Sequence, residues 1–163
     1  MRRKEQEIKD KKVIKEILTE SKICRIAIMD KNIPYIIPMN YGYSNNCLYM
    51  HSAPSGKKID LLKHSNKVCF EIDYASEIIK NDLSCDWLTK YRSLIGSGTI
   101  EIITDTEQKK QGLNILMAQH GKTKNNVYKE EQVKKIVILK LKIEQLTGKQ
   151  LGDWEEKKKF KKK

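Results

Sequence analysis

Residues 48–58, Leu48-Tyr49-Met50-His51-Ser52-Ala53-Pro54-Ser55-Gly56-Lys57-Lys58, hold the densest set of groups that could do chemistry. An apolar run ends in His51-Ser52, turns, and enters a helix through Gly56-Lys57-Lys58. A helix N-terminus offers free backbone N–H groups and the positive end of the helix dipole. Hydroxyls at Ser52 and Ser55 and ammonium groups at Lys57 and Lys58 would complete a cradle for a phosphate. The same residues also suit a plain strand-to-helix turn with two surface lysines. The spacing is not that of a Walker A loop.

Two further stretches have chemical content. In Ile37-Pro38-Met39-Asn40-Tyr41-Gly42-Tyr43, the proline removes a ladder donor, so Pro38 must lie at a sheet edge or a bulge. Exposed backbone beside Asn40 could then hydrogen-bond a flat, amide-rich ring, or the segment is an ordinary edge strand. In residues 85–98, Arg92 and Ser93 could reach an anion and Tyr91 could pack on a ring. Cross-strand pairing on a solvated face accounts for the same residues equally well.

The elements that must position these groups follow from periodicity. Asp10 reads as an N-cap for a short helix whose apolar face is Val13, Ile14, Ile17 and Leu18. Strands are expected over 22–29, 34–43 and 47–52, separated by Asp30-Lys31-Asn32 and Ser44-Asn45-Asn46 turns. A short helix carrying Ile59, Leu61 and Leu62 runs to about His64. Residues 67–74 return to strand, with Val68, Phe70 and Ile72 alternating against Cys69, Glu71 and Asp73. Residues 75–84 read as a loop. Residues 87–104 read as a long strand, bent or bulged around Gly96-Ser97-Gly98. Thr106 is expected to cap a helix to His120 with a Leu113, Leu116 and Met117 stripe, and 134–145 forms the last strand with Ile136, Ile138, Leu141 and Ile143. The sum is a mainly β, six-stranded antiparallel barrel with peripheral helices.

The chain has 163 residues, 39% hydrophobic and 33% charged, which suits one domain. No apolar run approaches the roughly 20 residues of a membrane span. The start, Met1-Arg2-Arg3-Lys4-Glu5, is not a signal peptide, so a cytoplasmic location is the expectation. Cys24, Cys47, Cys69 and Cys85 form no CxxC pair, so no metal site is expected and they read as buried, reduced thiols. The net charge is +12, of which the tail 157–163 contributes six lysines, leaving 12 − 6 = +6 for the rest. Such a terminal run reads as a solvated, disordered tail over 151–163. There is no aromatic-interleaved basic stripe, so nucleic-acid binding is a minor alternative.

Taken together, the three segments resemble the Nim (nitroimidazole-resistance) branch of the FMN-binding split β-barrels, the pyridoxamine-phosphate-oxidase-like superfamily. The likeness lies in Pro38 to Gly42, Leu48 to Asp60 and Cys85 to Gly98, with a late Leu146-Thr147-Gly148-Lys149 matching the family's final strand. It spans residues 2–150, and residues 1–150 are expected to be one FMN-binding split-barrel domain. Pro54 and Ser55 depart from the charged residues common at those places. The resemblance implies a split-barrel homodimer with FMN at the interface. It places His51, Ser52, Lys57 and Lys58 at the phosphate, and Pro38, Met39, Asn40 and Tyr41 along the isoalloxazine. Tyr91, Arg92 and Ser93 fall near the cofactor or the partner chain. His51 also matches a histidine linked with redox chemistry in Nim proteins. The implied activity is a flavin-dependent, nitroreductase-like oxidoreductase with a small-molecule electron acceptor and NAD(P)H as a possible donor. The alternatives are an FMN- or haem-binding module without turnover of its own.

Overall fold

The computed structural model describes residues 3–154. Seven strands form one antiparallel sheet: β1 (Ile23–Asp30), β2 (Ile33–Asn40), β3 (Gly42–Ser44), β4 (Cys47–Ser52), β5 (Lys67–Ile79), β6 (Leu88–Ile103) and β7 (Val137–Leu151). Their spatial order is β2-β1-β5-β6-β7-β4-β3. Among the described residues four α-helices accompany the sheet: α1 (Lys11–Glu20), α2 (Lys57–His64), α3 (Thr106–Gln119) and α4 (Glu130–Lys134). The sheet curls so that β2, an outer strand, comes up against β4 near the opposite edge. No helix is long and apolar enough to cross a membrane among the described residues.

The core fills the inside of the curl. Alternation places Cys24, Ile26 and Ile28 of β1, and Val68, Phe70 and Ile72 of β5, on the inner face. Leu139, Leu141 and Ile143 of β7 join them, and Ile17 and Leu18 of α1 pack against the same cluster. Asp10 caps α1 as its sequence suggests, accepting from the Lys12 N–H at 2.8 Å. At α3 the cap is Asp105, accepting from the Gln108 N–H at 2.9 Å, one residue before the expected Thr106.

Six strands were expected, and the seventh arises at Tyr41. Its N–H turns to the Lys22 carbonyl (3.2 Å). Its ring is fully buried, and its hydroxyl donates to the Leu18 carbonyl at 2.9 Å. That anchor splits 34–43 into β2 and β3. Gly42 beside it lies under α3: a Cβ there would sit 2.5 Å from the Ile115 carbonyl oxygen. Any side chain would push the helix off the sheet.

Residues 75–84, read as a loop, are partly strand. β5 passes a bulge between Asp73 and Ala75 and continues to Ile79, paired with β6 from Ser76↔Tyr91 to Ile79↔Leu88. Its side chains there are largely solvated, so no apolar alternation marks it. The last strand is also displaced: 130–134 is helix α4, and β7 runs on to Leu151, opposite Tyr91. Just past β7, the ring centre of Trp154 lies 4.4 Å from the Arg92 guanidinium. The lysine run 157–163 lies outside the described residues.

Two local expectations hold. Pro38 lies on β2, an edge strand, where a missing N–H costs no ladder bond. The bulge expected near Gly96–Gly98 is a register shift between Ser97 and Gly98 against β7. The cysteine reading needs correction. Cys24 and Cys47 are buried, but Cys69 and Cys85 are exposed. Cys69 falls on the outward side of the β5 alternation, and Cys85 sits in a single 3-10 turn (Ser84–Asp86) at the β5–β6 connection.

Candidate functional site

The segment 48–58 folds as its pattern suggests. β4 carries the chain to Ser52, residues 53–56 turn in the open, and α2 begins at Lys57. Gly56 occupies the N-cap position with φ 103° and offers no side chain, whereas α1 and α3 are both capped by aspartate. The left-handed φ suits glycine alone. The first N–H groups of α2 therefore lack a side-chain acceptor and face an exposed turn.

The side chains of the segment divide. His51 points outward from β4, exposed, beside Ile138 of β7. Ser52 points inward and is buried, and its hydroxyl donates to the Ala53 carbonyl at 3.0 Å. Lys57 ion-pairs with Asp30 at 2.8 Å and stands 4.6 Å over the Tyr35 ring. The pair holds the Asp30 carboxyl below the usual carboxylate range and raises Lys57. Lys58 is partly buried, its ammonium 3.3 Å from the Met39 sulfur, and burial pushes its pKa down. A desolvated ammonium beside a thioether lacks the acceptor it would favour, and an anion would supply one.

Pro38, Met39, Asn40 and Tyr41 were expected along the strand that faces the flavin ring, and they do follow one another on β2 and its continuation. The pleat separates them. Pro38 and Asn40 are exposed on the outer face, while Met39 and Tyr41 turn into the core. Burial raises the Tyr41 hydroxyl, whose proton is already donated to Leu18. Through Met39 and Lys58 the inner side of β2 reaches the start of α2, so the first two sequence segments do meet.

The third segment does not join them within one chain. On β7, His51 stands opposite Ile138 but Ser93 opposite Lys149, Arg92 opposite Gln150 and Tyr91 opposite Leu151. From residue 138 to residue 149 is roughly 35 Å of strand. Arg92 is buried, with Nε donating to Gln150 at 3.0 Å and Nη1 3.6 Å from a Glu16 carboxylate oxygen. Its guanidinium is thus engaged by its own chain. Tyr91 lies under Lys149, whose ammonium is 5.7 Å from the ring centre, and Ser93 is half-buried.

The outer face beside Pro38 has its own character. Register lines up Pro38, Arg25, Glu71 and Ile95 across four strands, with Ile36, Ala27, Cys69 and Ser97 in the next row. Ile36, Met29 and Ile95 on this face are all more than half exposed on this chain. Arg25 crosses the face to bind Glu71 and Asp73, each at 2.9 Å. A shallow hollow lies between Met29, Pro34, Cys69 and Ser97.

Asp30 and Tyr35, the partners of Lys57, carried no signal in the sequence as candidate site residues. Asp30 looked like a turn former and Tyr35 like an ordinary strand residue. Only the hairpin's approach to α2 joins them to Lys57.

The model of the pyridoxamine 5'-phosphate oxidase family matches residues 10–150. A solved structure from Bacteroides thetaiotaomicron, of a candidate 5-nitroimidazole antibiotic resistance protein, is 32% identical to this chain. That match covers 88% of this chain and 85% of the other, with a TM-score of 0.78. An FAD and haem binding protein from Mycobacterium smegmatis has the same fold at 17% identity, covering 91% and 75% of the two chains, TM-score 0.80. An uncharacterised protein of Rhizobium meliloti is 36% identical over 61 residues, which is 37% of this chain. The matched segment spans 40% of that relative's length.

Proposed function

Because this chain belongs to the pyridoxamine 5'-phosphate oxidase family, within its nitroimidazole-resistance branch, we propose that it is a split-barrel flavoprotein. FMN is the cofactor we assign, bound without a covalent link. The observation that carries this reading is Lys58, a partly desolvated ammonium beside Met39 at the start of a helix without a side-chain cap. A phosphate monoester fits both features: it accepts from the ammonium and from the free N–H groups of the first turn. Asn40 and Pro38, exposed on β2, offer an edge for the flavin ring. Bound flavin would supply hydride or electron transfer, and the protein would hold and orient it.

The active unit we propose is a homodimer with the cofactor between copies. Two observations support it. The outer face of β1, β2 and β6 exposes the apolar side chains of Met29, Ile36 and Ile95, and apolar groups gathered on one exposed face mark interaction surfaces. The Tyr91-Arg92-Ser93 segment lies far along β6 from the phosphate turn, so it can approach a flavin only from a second chain. The activity proposed is nitroreductase-like, with NAD(P)H as donor and a small molecule as acceptor, in the cytoplasm. His51, exposed next to the phosphate turn, is the side chain nearest to a catalytic candidate.

Equilibrium titration of the purified chain with FMN and with riboflavin tests this reading. FMN should bind at least tenfold more tightly, because only FMN has the phosphate. Equal affinities would refute the phosphate turn. A sizing column run with FMN present tests the second part, and a monomer that retains flavin would refute an interface site.

A further inference from the structure

Lys57 and Lys58 are neighbours in sequence, yet the fold sends them apart along β2. Lys57 goes to Tyr35 and Asp30, at the hairpin end. Lys58 goes to Met39, four residues further on. At about 3.3 Å per residue the two contacts lie roughly 13 Å apart along the strand. Asp30 ends β1, and Tyr35 follows the turn, so the β1–β2 hairpin supplies both partners of Lys57.

We propose that Asp30 is a positioning residue of the phosphate seat: it holds Lys57 against Tyr35 and leaves Lys58 as the lysine committed to the anion. The inference rests on the flavin reading above and deepens it. Two cations at the start of α2 would normally be expected to share a phosphate. Here one of them already has a carboxylate partner and an aromatic face beneath it. A phosphate that recruits Lys57 must first displace Asp30. The carboxylate therefore sets the affinity below what the sequence Gly56-Lys57-Lys58 could reach. The pair is solvated, Lys57 with a side-chain exposure of 56% and Asp30 with 32%, so its hold is weak enough for substitution to release it.

The test is a set of FMN and riboflavin titrations on the full chain, wild type and Asp30→Asn, Asp30→Glu, Lys57→Ala and the Asp30→Asn/Lys57→Ala double variant. Asp30→Asn should bind FMN roughly two- to fivefold more tightly, the scale of a surface ion pair, since the Tyr35 contact remains. Riboflavin binding should not change. Asp30→Glu should restore the wild-type value. The double variant should show no gain over Lys57→Ala, because Asp30 acts through that lysine. A merely structural aspartate would weaken FMN on removal, and that result would overturn the proposal. An unchanged affinity in Asp30→Asn, or a gain that survives without Lys57, would overturn it too. Wild-type protein that binds FMN no better than riboflavin would instead remove the phosphate seat itself, a distinct failure.

Discussion

Lys58→Ala is the substitution on which the site can be judged most closely. The ammonium is partly buried, its pKa is lowered by that burial, and its nearest polar neighbour is the Met39 thioether at 3.3 Å. The free protein therefore gains little from this charge. Its removal should leave the melting temperature unchanged or slightly raised. A phosphate changes the balance, since a charge-assisted contact contributes about 1.5–3 kcal/mol. At 1.4 kcal/mol per tenfold, FMN should bind roughly 10- to 150-fold more weakly to the variant. Riboflavin should bind both proteins alike. Lys57→Ala should cost less, because that lysine must first leave Asp30. Lys58→Arg should retain most of the affinity. Quenching of flavin fluorescence, followed at two salt concentrations, reads all of these, and the FMN loss should shrink at high salt. An FMN affinity in Lys58→Ala within twofold of wild type would refute the reasoning. So would an equal loss for riboflavin, which would place Lys58 against the ring system and not the phosphate.

Other outcomes follow from the packing. Gly42→Ala puts a methyl group 2.5 Å from the Ile115 carbonyl oxygen, so α3 must move, and denaturant unfolding should show a loss of about 2–3 kcal/mol; a neutral substitution would contradict the close approach of α3. Thiol labelling should separate the cysteines. Cys24, with its thiol pushed up to about 12 by burial, and Cys47 should stay unreactive until the chain unfolds. Cys85 should react at once. Cys69, exposed on the outer face of a single chain, should react quickly in dilute protein and slowly at concentrations where the proposed dimer forms. A Cys69 rate that does not depend on concentration would argue that this face is not the interface.

Much of this fold was legible in the amino-acid order, for reasons that can be named. β4 matches its expected span at both ends, because Asn45 and Asn46 mark a turn with positive φ and Ala53-Pro54 ends the strand. Val68, Phe70 and Ile72 alternate cleanly because one face of β5 is the core. The far ends of β5 and β7 were not legible. Their strand character comes from pairing with β6, a partner distant in sequence, and their side chains are too solvated to alternate. The site was legible as a set of segments but not as a geometry. The pleat that turns Met39 and Tyr41 away from Pro38 and Asn40 depends on which face of β2 meets the core. The engagement of Arg92 by Gln150 and Glu16, and the different partners of Lys57 and Lys58, depend on neighbours that only folding brings near.

The central claim is that this chain holds a flavin by its phosphate. The most direct measurement is the absorption spectrum of the purified protein, before and after addition of FMN and removal of the excess by gel filtration. The bands of oxidised flavin should remain with the protein, at one FMN per chain, and riboflavin treated in the same way should be lost. Protein that emerges colourless after FMN loading, or that shows a haem Soret band in place of flavin, would contradict it.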